Sequence, residues 1–88
     1  MNYEKRRPLG KFSITRRLLH DDWRMAKDVM SRVLVVKCEA DFVSDSLIYT
    51  AFSDEFEDLK EDFEPPTYYI ELFQEPDKSV HMRRFVKE

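Results

Sequence analysis

The chain contains a single glycine, Gly10, among its 88 residues. Glycine supplies positive φ and close backbone approach, which phosphate-binding loops and nucleophile elbows need at several positions. This scarcity excludes P-loop, Rossmann and α/β-hydrolase folds. Turns must instead depend on Asp, Ser, Asn and Pro, whose side-chain hydrogen bonds or fixed φ favour chain reversal.

Length and composition indicate one globular domain spanning residues 1–88. A chain of this length has room for one core. Its hydrophobic share of 42%, which includes 14% aromatic residues, suffices for a compact core although 38% of the residues are charged. Residues 1–9 are predicted to form a flexible basic tail.

The only cysteine, Cys38, cannot form an internal disulfide. Its place in an apolar pattern predicts a small buried side chain rather than a nucleophile. The N-terminus has no apolar run of the signal-peptide type, and no stretch approaches the ~18 apolar residues of a membrane span. We therefore expect a cytoplasmic protein without membrane contact.

Hydrophobic periodicity predicts a strand, a helix and a second strand in that order. Residues 11–18 alternate like a half-buried strand, and residues 22–31 change to helical spacing behind Asp21 or Asp22, which are good helix caps. Residues 32–43 return to strand alternation. One face of this strand is predicted to be buried, with Leu34, Val36, Cys38, Ala40 and Phe42 on it.

Turn residues then predict two hairpins. The Ser-Asp-Ser sequence at 44–46 leads into a strand at 47–52, and a Pro-Asp turn separates strands at 67–73 and 79–86. Trp23 and Phe42 are predicted to share a core between the helix and the first hairpin.

Residues 54–64 contain seven acidic side chains and one lysine. Phe56, Leu59 and Phe63 recur at helical spacing, and two prolines follow. The segment is interpreted either as a short helix or as an irregular acidic connection that Phe56 and Phe63 pin to the core. The complete pattern predicts a small single-domain α+β fold, with a mainly antiparallel four- to five-stranded sheet, one covering helix and this short acidic helix or loop.

The spacing of His, Cys and carboxylate residues does not match that of a metal site, a cofactor site or a catalytic centre. The numerous carboxylates single out no pair with shifted pKa values. We therefore expect neither an enzyme nor a cofactor-dependent protein, and read Asp21 or Asp22 as a helix cap.

The first functional hypothesis is a non-enzymatic protein-binding module. Residues 39–77 hold thirteen acids and one lysine, a field that steers basic partners. Acidic side chains that stand in for phosphates would suit an inhibitor of a nucleic-acid-handling protein. A tiny charged α+β domain without ligand motifs is also, by analogy, typical of viral or mobile-element accessory proteins that bind another macromolecule. The residues assigned to this partner surface are Asp54, Glu55, Asp58, Glu61, Asp62, Arg83, Arg84 and Phe85.

Two alternatives remain open. A weak nucleic-acid binder would use basic residues near aromatics in the N-terminal segment, namely Lys5, Arg6, Arg7, Lys11, Arg16 and Arg17. A structural or assembly subunit would instead pair its oppositely charged blocks between copies, as a homo-oligomer.

Overall fold

Five antiparallel strands and two helices occupy residues 8–57 and 64–88, the part of the chain that the computed structural model describes. Their order confirms the α+β class and both hairpins. In chain order they are β1 (Leu9–Thr15), α1 (Arg16–Asp21), α2 (Trp23–Ser31), β2 (Leu34–Asp41), β3 (Ser46–Phe52), β4 (Tyr68–Gln74) and β5 (Val80–Lys87). Leu9 belongs to β1 rather than to the predicted tail, whose residues 1–7 lie outside the described residues.

The strands divide into two sheets instead of forming one. A three-stranded sheet has the order β1-β3-β2, and β4 pairs with β5 in a two-stranded sheet. The sheets meet where Lys11 forms a single parallel bridge with Thr67 and donates its backbone N–H to the Pro66 carbonyl at 2.9 Å. Pro65 and Pro66 have no N–H donor, so the ladder cannot continue toward the N-terminal side of Thr67.

The predicted helix at 22–31 is α2, and Asp22 caps it by accepting a hydrogen bond from the Met25 N–H at 3.2 Å. A second helix, α1, was not predicted and replaces the end of the predicted first strand. Thr15 accepts a hydrogen bond from the Leu18 N–H at 3.2 Å. This N-cap turns the chain out of the strand, so Leu18 continues the core from a helix.

The core lies between the three-stranded sheet, α2 and the two-stranded sheet. Sheet residues from both hairpins and two residues of α2 meet around Phe56, which follows β3. The buried apolar cluster comprises Phe12, Ile14, Met25, Val29, Tyr49, Ala51, Phe56, Tyr68, Met82 and Phe85. Aromatic rings connect the two sheets, because Phe12 lies 5.0 Å and Phe56 lies 4.9 Å from Phe85 between ring centroids.

The placement of Trp23 and Phe42 in this core was wrong. Trp23 is 59% exposed and Phe42 is 92% exposed. Helix α2 buries Met25, Ala26 and Val29, and at about 100° per residue Trp23 lies roughly 120° away from the middle of that stripe. Phe42 comes after the end of β2, in the turn at 42–45.

Both hairpin turns form without glycine. Asp45 and Lys78 adopt left-handed backbone conformations with φ of 52° and 73°. Side-chain hydrogen bonds brace each turn, since Asp41 accepts from the Val43 N–H at 3.0 Å and Asp77 accepts from the Ser79 N–H at 3.0 Å. The predicted use of Asp and Ser in the turns is therefore confirmed.

The single glycine serves close packing instead of a turn. A Cβ at Gly10 would lie 2.7 Å from a ring carbon of Phe56, with two other ring atoms at 2.9 Å. Phe56 is itself buried, so the ring has little space to move away. Only a residue without a side chain lets β1 approach Phe56 this closely.

We expect Phe12→Ala to lower the free energy of unfolding by about 3–5 kcal/mol, because the ring is fully buried. Because Trp23 is exposed, Trp23→Ala should lower the free energy of unfolding by less than about 1 kcal/mol. Urea unfolding followed by far-UV circular dichroism measures both. A larger loss for Trp23→Ala than for Phe12→Ala would contradict the observed orientation of α2.

Gly10→Ala should destabilise the protein by about 1–3 kcal/mol through overpacking against Phe56. Ser13→Ala, on the exposed side of β1, is the matched control and should change little. Because Leu leaves room for the methyl group, the added cost of Gly10→Ala should shrink in a Phe56→Leu background. Equal costs in both backgrounds would show that Phe56 is not the obstacle.

Candidate protein-binding surface

Strand β2 lies at the edge of the three-stranded sheet. It pairs antiparallel with β3 along one side, from Leu34 opposite Phe52 to Asp41 opposite Ser46. Its other side has no strand neighbour among the described residues. An unpaired strand edge presents a row of N–H and C=O groups to any chain that can lie beside it.

Exposed apolar side chains accompany this open edge. Leu34 and Val36 are 58% and 52% exposed, and beyond the strand Phe42 and Val43 are 92% and 98% exposed. We call residues 34–43 the β2 surface. Large apolar side chains concentrated on ten consecutive residues are unusual on a monomer surface and are typical of interaction sites.

The predicted burial of one face of β2 was wrong, although the strand itself is confirmed. Seven of its eight residues are exposed, Cys38 among them. Cys38 pairs with the buried Tyr49 and therefore shares the core side of the sheet, but the described core residues stop at β3. Burial, with Cys38 nearby, raises the pKa of the Tyr49 hydroxyl.

A bulge interrupts β2 at Val36. Val35 pairs with Ala51 and Lys37 with Thr50, so Val36 is an extra residue without a partner on β3. After the bulge, side chains project from the opposite side of the sheet to the one that regular alternation would give. The alternate residues predicted to share one face therefore do not form one surface. Beyond the bulge, Lys37 and Glu39 share the side opposite Cys38 and form an ion pair at 3.1 Å.

The other strand edges are partly covered. The Arg32 guanidinium donates to the Met82 and Arg83 carbonyls of β5 at 3.3 and 3.1 Å. The outer side of β1 meets the chain at Thr67. Strand β4, at the edge of the two-stranded sheet, also carries exposed apolar side chains, with Tyr69 at 49% and Leu72 and Phe73 at 38%. Four apolar side chains of the β2 surface are more exposed than these, so β2 is the stronger candidate among the described residues.

The described part of the acidic segment is a turn and not a helix. The buried Ser53 donates its hydroxyl to the Arg32 carbonyl at 3.0 Å and accepts from the Glu55 N–H at 3.1 Å. Phe56 packs into the core and stacks on Tyr68 with centroids 4.5 Å apart. Residues 53–57 therefore agree with the interpretation of a connection pinned by Phe56, whereas Asp58, Glu61, Asp62 and Phe63 lie outside the described residues.

Basic residues of the same chain already contact two acids of this segment. Glu55 lies 3.6 Å from the Arg32 guanidinium, and the Glu57 carboxylate accepts a 2.8 Å hydrogen bond from Lys87. That hydrogen bond raises the pKa of the Lys87 ammonium. Asp54 is exposed beside them. The predicted acidic surface is thus partly neutralised within the chain.

Arg83 and Arg84 are exposed as the hypothesis required, but Phe85 is buried in the core and was wrongly assigned to a partner surface. Glu71 pairs with Arg84 and Leu72 with Met82, so Arg83 is an extra residue in β5. This bulge puts Met82 and Phe85 both inside, although residues three apart on a regular strand face opposite sides. Arg84 donates to Glu71 at 2.8 Å.

Two of the described basic residues proposed for nucleic acid already pair with acidic residues of the same chain. Arg16 forms an ion pair with Asp45 at 3.1 Å, and Arg17 lies 3.6 Å from Asp21. Lys11 is half-buried in β1. Lys5, Arg6 and Arg7 lie outside the described residues.

The β2 surface was missed because its strand was interpreted as half-buried. The signal was present in the sequence. Val35 and Val36 are adjacent, as are Phe42 and Val43, and adjacent residues on a strand point to opposite sides. Apolar residues on both sides of a strand mean either burial on both sides or an open apolar surface.

Residues 8–57 and 64–88 contain no group of three or more His, Cys, Asp or Glu that could hold a metal ion. Their helices are all too short or too polar to cross a membrane. No family model, curated protein or solved structure matches the chain. Hypotheses about function therefore depend on the surfaces described above.

We expect any nucleic-acid binding to be weak and to fade steeply between about 50 and 200 mM salt, as counterion release requires. Because Arg16 and Arg17 already pair with acids, Arg16→Gln/Arg17→Gln should weaken it no more than the matched Arg24→Gln/Lys27→Gln variant does. Fluorescence anisotropy with labelled single-stranded and duplex DNA measures this. A sequence-specific complex that resists salt would instead favour the nucleic-acid hypothesis.

Proposed function

We propose that the protein is a non-enzymatic protein-binding module whose docking element is the β2 surface. The observation that carries the proposal is an open strand edge with exposed apolar side chains at both of its ends. Leaving Phe42 and Val43 in water has an unfavourable hydration free energy that a partner would remove. Such a surface favours association with another chain.

The free backbone edge and the side chains of β2 indicate which kind of partner it can bind. A strand laid beside it would form main-chain hydrogen bonds, which supply affinity regardless of sequence. Lys37 and Glu39 on one side would select a segment with the opposite order of charges. The partner is therefore an extended protein segment with apolar residues and alternating charge, and not a small molecule or a phosphate backbone.

The ordered tip of the hairpin supports a role in recognition. Asp41 accepts hydrogen bonds from the Val43 N–H and from the Ser44 hydroxyl at 2.8 Å, and these bonds lower the pKa of its carboxyl group. The Ser44 hydroxyl also lies 2.6 Å from that of Ser46. These bonds hold Phe42 and Val43 in place before binding, which lowers the conformational entropy lost when a partner docks.

The acidic segment is a second candidate surface, with a basic protein as its partner. Ser53 and Phe56 anchor its first residues to the core, and Asp54 is exposed between them. Carboxylates held in this way could compete for Lys/Arg grooves, which is the inhibitor hypothesis. The contacts of Glu55 with Arg32 and of Glu57 with Lys87 make this surface the weaker of the two.

Two variants distinguish the surfaces. Leu34→Ser/Phe42→Ser/Val43→Ser removes the exposed apolar side chains of the β2 surface. The acid variant changes Asp54, Asp58 and Asp62 to Asn and Glu55 and Glu61 to Gln. Both should melt cooperatively near the wild-type temperature, because the substituted side chains that the structure describes lie largely outside the core.

We expect the β2 variant to lose its protein partner at both low and high salt, because apolar burial is not screened. Tagged protein is captured from cells that also express an untagged copy, and mass spectrometry quantifies both other proteins and the untagged chain. The acid variant should lose at most an interaction that high salt also removes. If wild type and β2 variant retain the same proteins in the same amounts, the proposal is wrong.

A further inference from the structure

We infer that the segment that pairs with β2 is β2 of a second copy, so that two chains form a continuous six-stranded antiparallel sheet. This inference rests on the proposed function and names the partner of the same surface. The sheet order would be β1-β3-β2 followed by its mirror order in the second copy. The arrangement is a two-fold dimer in which the same edge of each chain is buried.

Only a few registers are possible for such a pair. Two antiparallel strands in one sheet are related by a two-fold axis perpendicular to the sheet, and directly opposed residues must project on the same side. The axis therefore lies midway between the two copies of one residue of β2, which face each other; we name each register by that residue. Neighbours on either side of that residue face each other reciprocally.

Charge complementarity selects one of these registers. An axis at Lys37 or Glu39 would oppose two like charges, and an axis at Ala40 would oppose Glu39 to Asp41 twice. An axis at Val36 would leave Lys37 opposite Val35 without a charged partner. With the axis at Cys38, Lys37 of each chain faces Glu39 of the other, so both cross-strand pairs are attractive.

The same register brings the apolar ends of the β2 surface together. Leu34 lies three ladder positions from Cys38, because Val36 is an extra residue at the bulge, and Phe42 follows β2 four positions to the other side. Leu34 of one chain therefore comes level with Asp41 of the other, one residue from Phe42. Leu34 and Phe42 are both largely exposed in the single chain. The bulge at Val36 lies outside the three central pairs and leaves them regular. Association thus covers apolar residues that the chain's own core leaves open.

Cys38 provides a direct test of the register. Directly opposed residues in antiparallel strands have Cα atoms about 4.5–5.5 Å apart, which suits a disulfide. Treatment with diamide, which accepts the two hydrogens released when two thiols join, should therefore convert wild type to a covalent dimer within minutes. Cys38→Ser/Ala40→Cys, which keeps both charged residues, should cross-link poorly, because residue 40 would face the bulge at residue 36 and not its own copy. Faster cross-linking of that variant would contradict the register.

Charge reversal tests the pairing without covalent chemistry. Lys37→Glu and Glu39→Lys each create two like-charge contacts and should raise the dimer dissociation constant on the order of ten-fold. The combined Lys37→Glu/Glu39→Lys variant should restore association. Lys27→Glu on α2 is the matched control with the same change in charge. Sedimentation equilibrium with reduced protein at several concentrations measures each constant.

A wild-type protein that stays monomeric at millimolar concentration would overturn this inference. So would a dimer that single reversals do not weaken. If the protein is monomeric but the β2 variant still loses a captured protein, the proposed function stands and the second copy is not the partner. If neither assay responds to changes in the β2 surface, both proposals are wrong.

Discussion

The packing of Phe56 against rings from both sheets is the interaction on which the rest of the structure depends. Within residues 8–57 and 64–88, one isolated bridge joins the two sheets, at Lys11 and Thr67, which is too little hydrogen bonding to hold them together. Phe56 stacks on Tyr68 and contacts Phe12 and Phe85, so one ring joins β1, β4 and β5. The lack of a side chain at Gly10 makes space for that ring. Close ring contacts of this kind add to the hydrophobic free energy of burial.

This arrangement leaves β2 outside the core. A chain of 88 residues buries a limited share of its surface, and here α2 and the aromatic rings cover β1, β3 and β5. Seven of the eight residues of β2 therefore remain exposed. Exposing apolar side chains of this kind to water has an unfavourable hydration free energy, which gives a physical reason to expect a partner there.

The separation of charge along the sequence is partly lost in the folded chain. The sequence separates into basic and acidic blocks, but folding brings members of opposite blocks together, as in the contacts of Arg16 with Asp45 and of Lys87 with Glu57. These exposed pairs contribute little to stability. They do, however, weaken the electrostatic field of the acidic segment and of the basic N-terminal residues. Shape and apolar exposure are therefore the stronger guides to function.

The sequence by itself determined the α+β class, the two hairpins with turns that do not use glycine, and the cap of α2 at Asp22. Local rules suffice for these features, because a helix cap or a turn depends on residues a few positions apart. The tertiary structure alone decided which strand faces are buried. Phe85 lies inside because a bulge at Arg83 changes the alternation of β5, and Cys38 and Phe42 lie outside because the core formed by the described residues stops at β3. Burial depends on what packs above a residue, and that neighbour comes from elsewhere in the chain or from another chain.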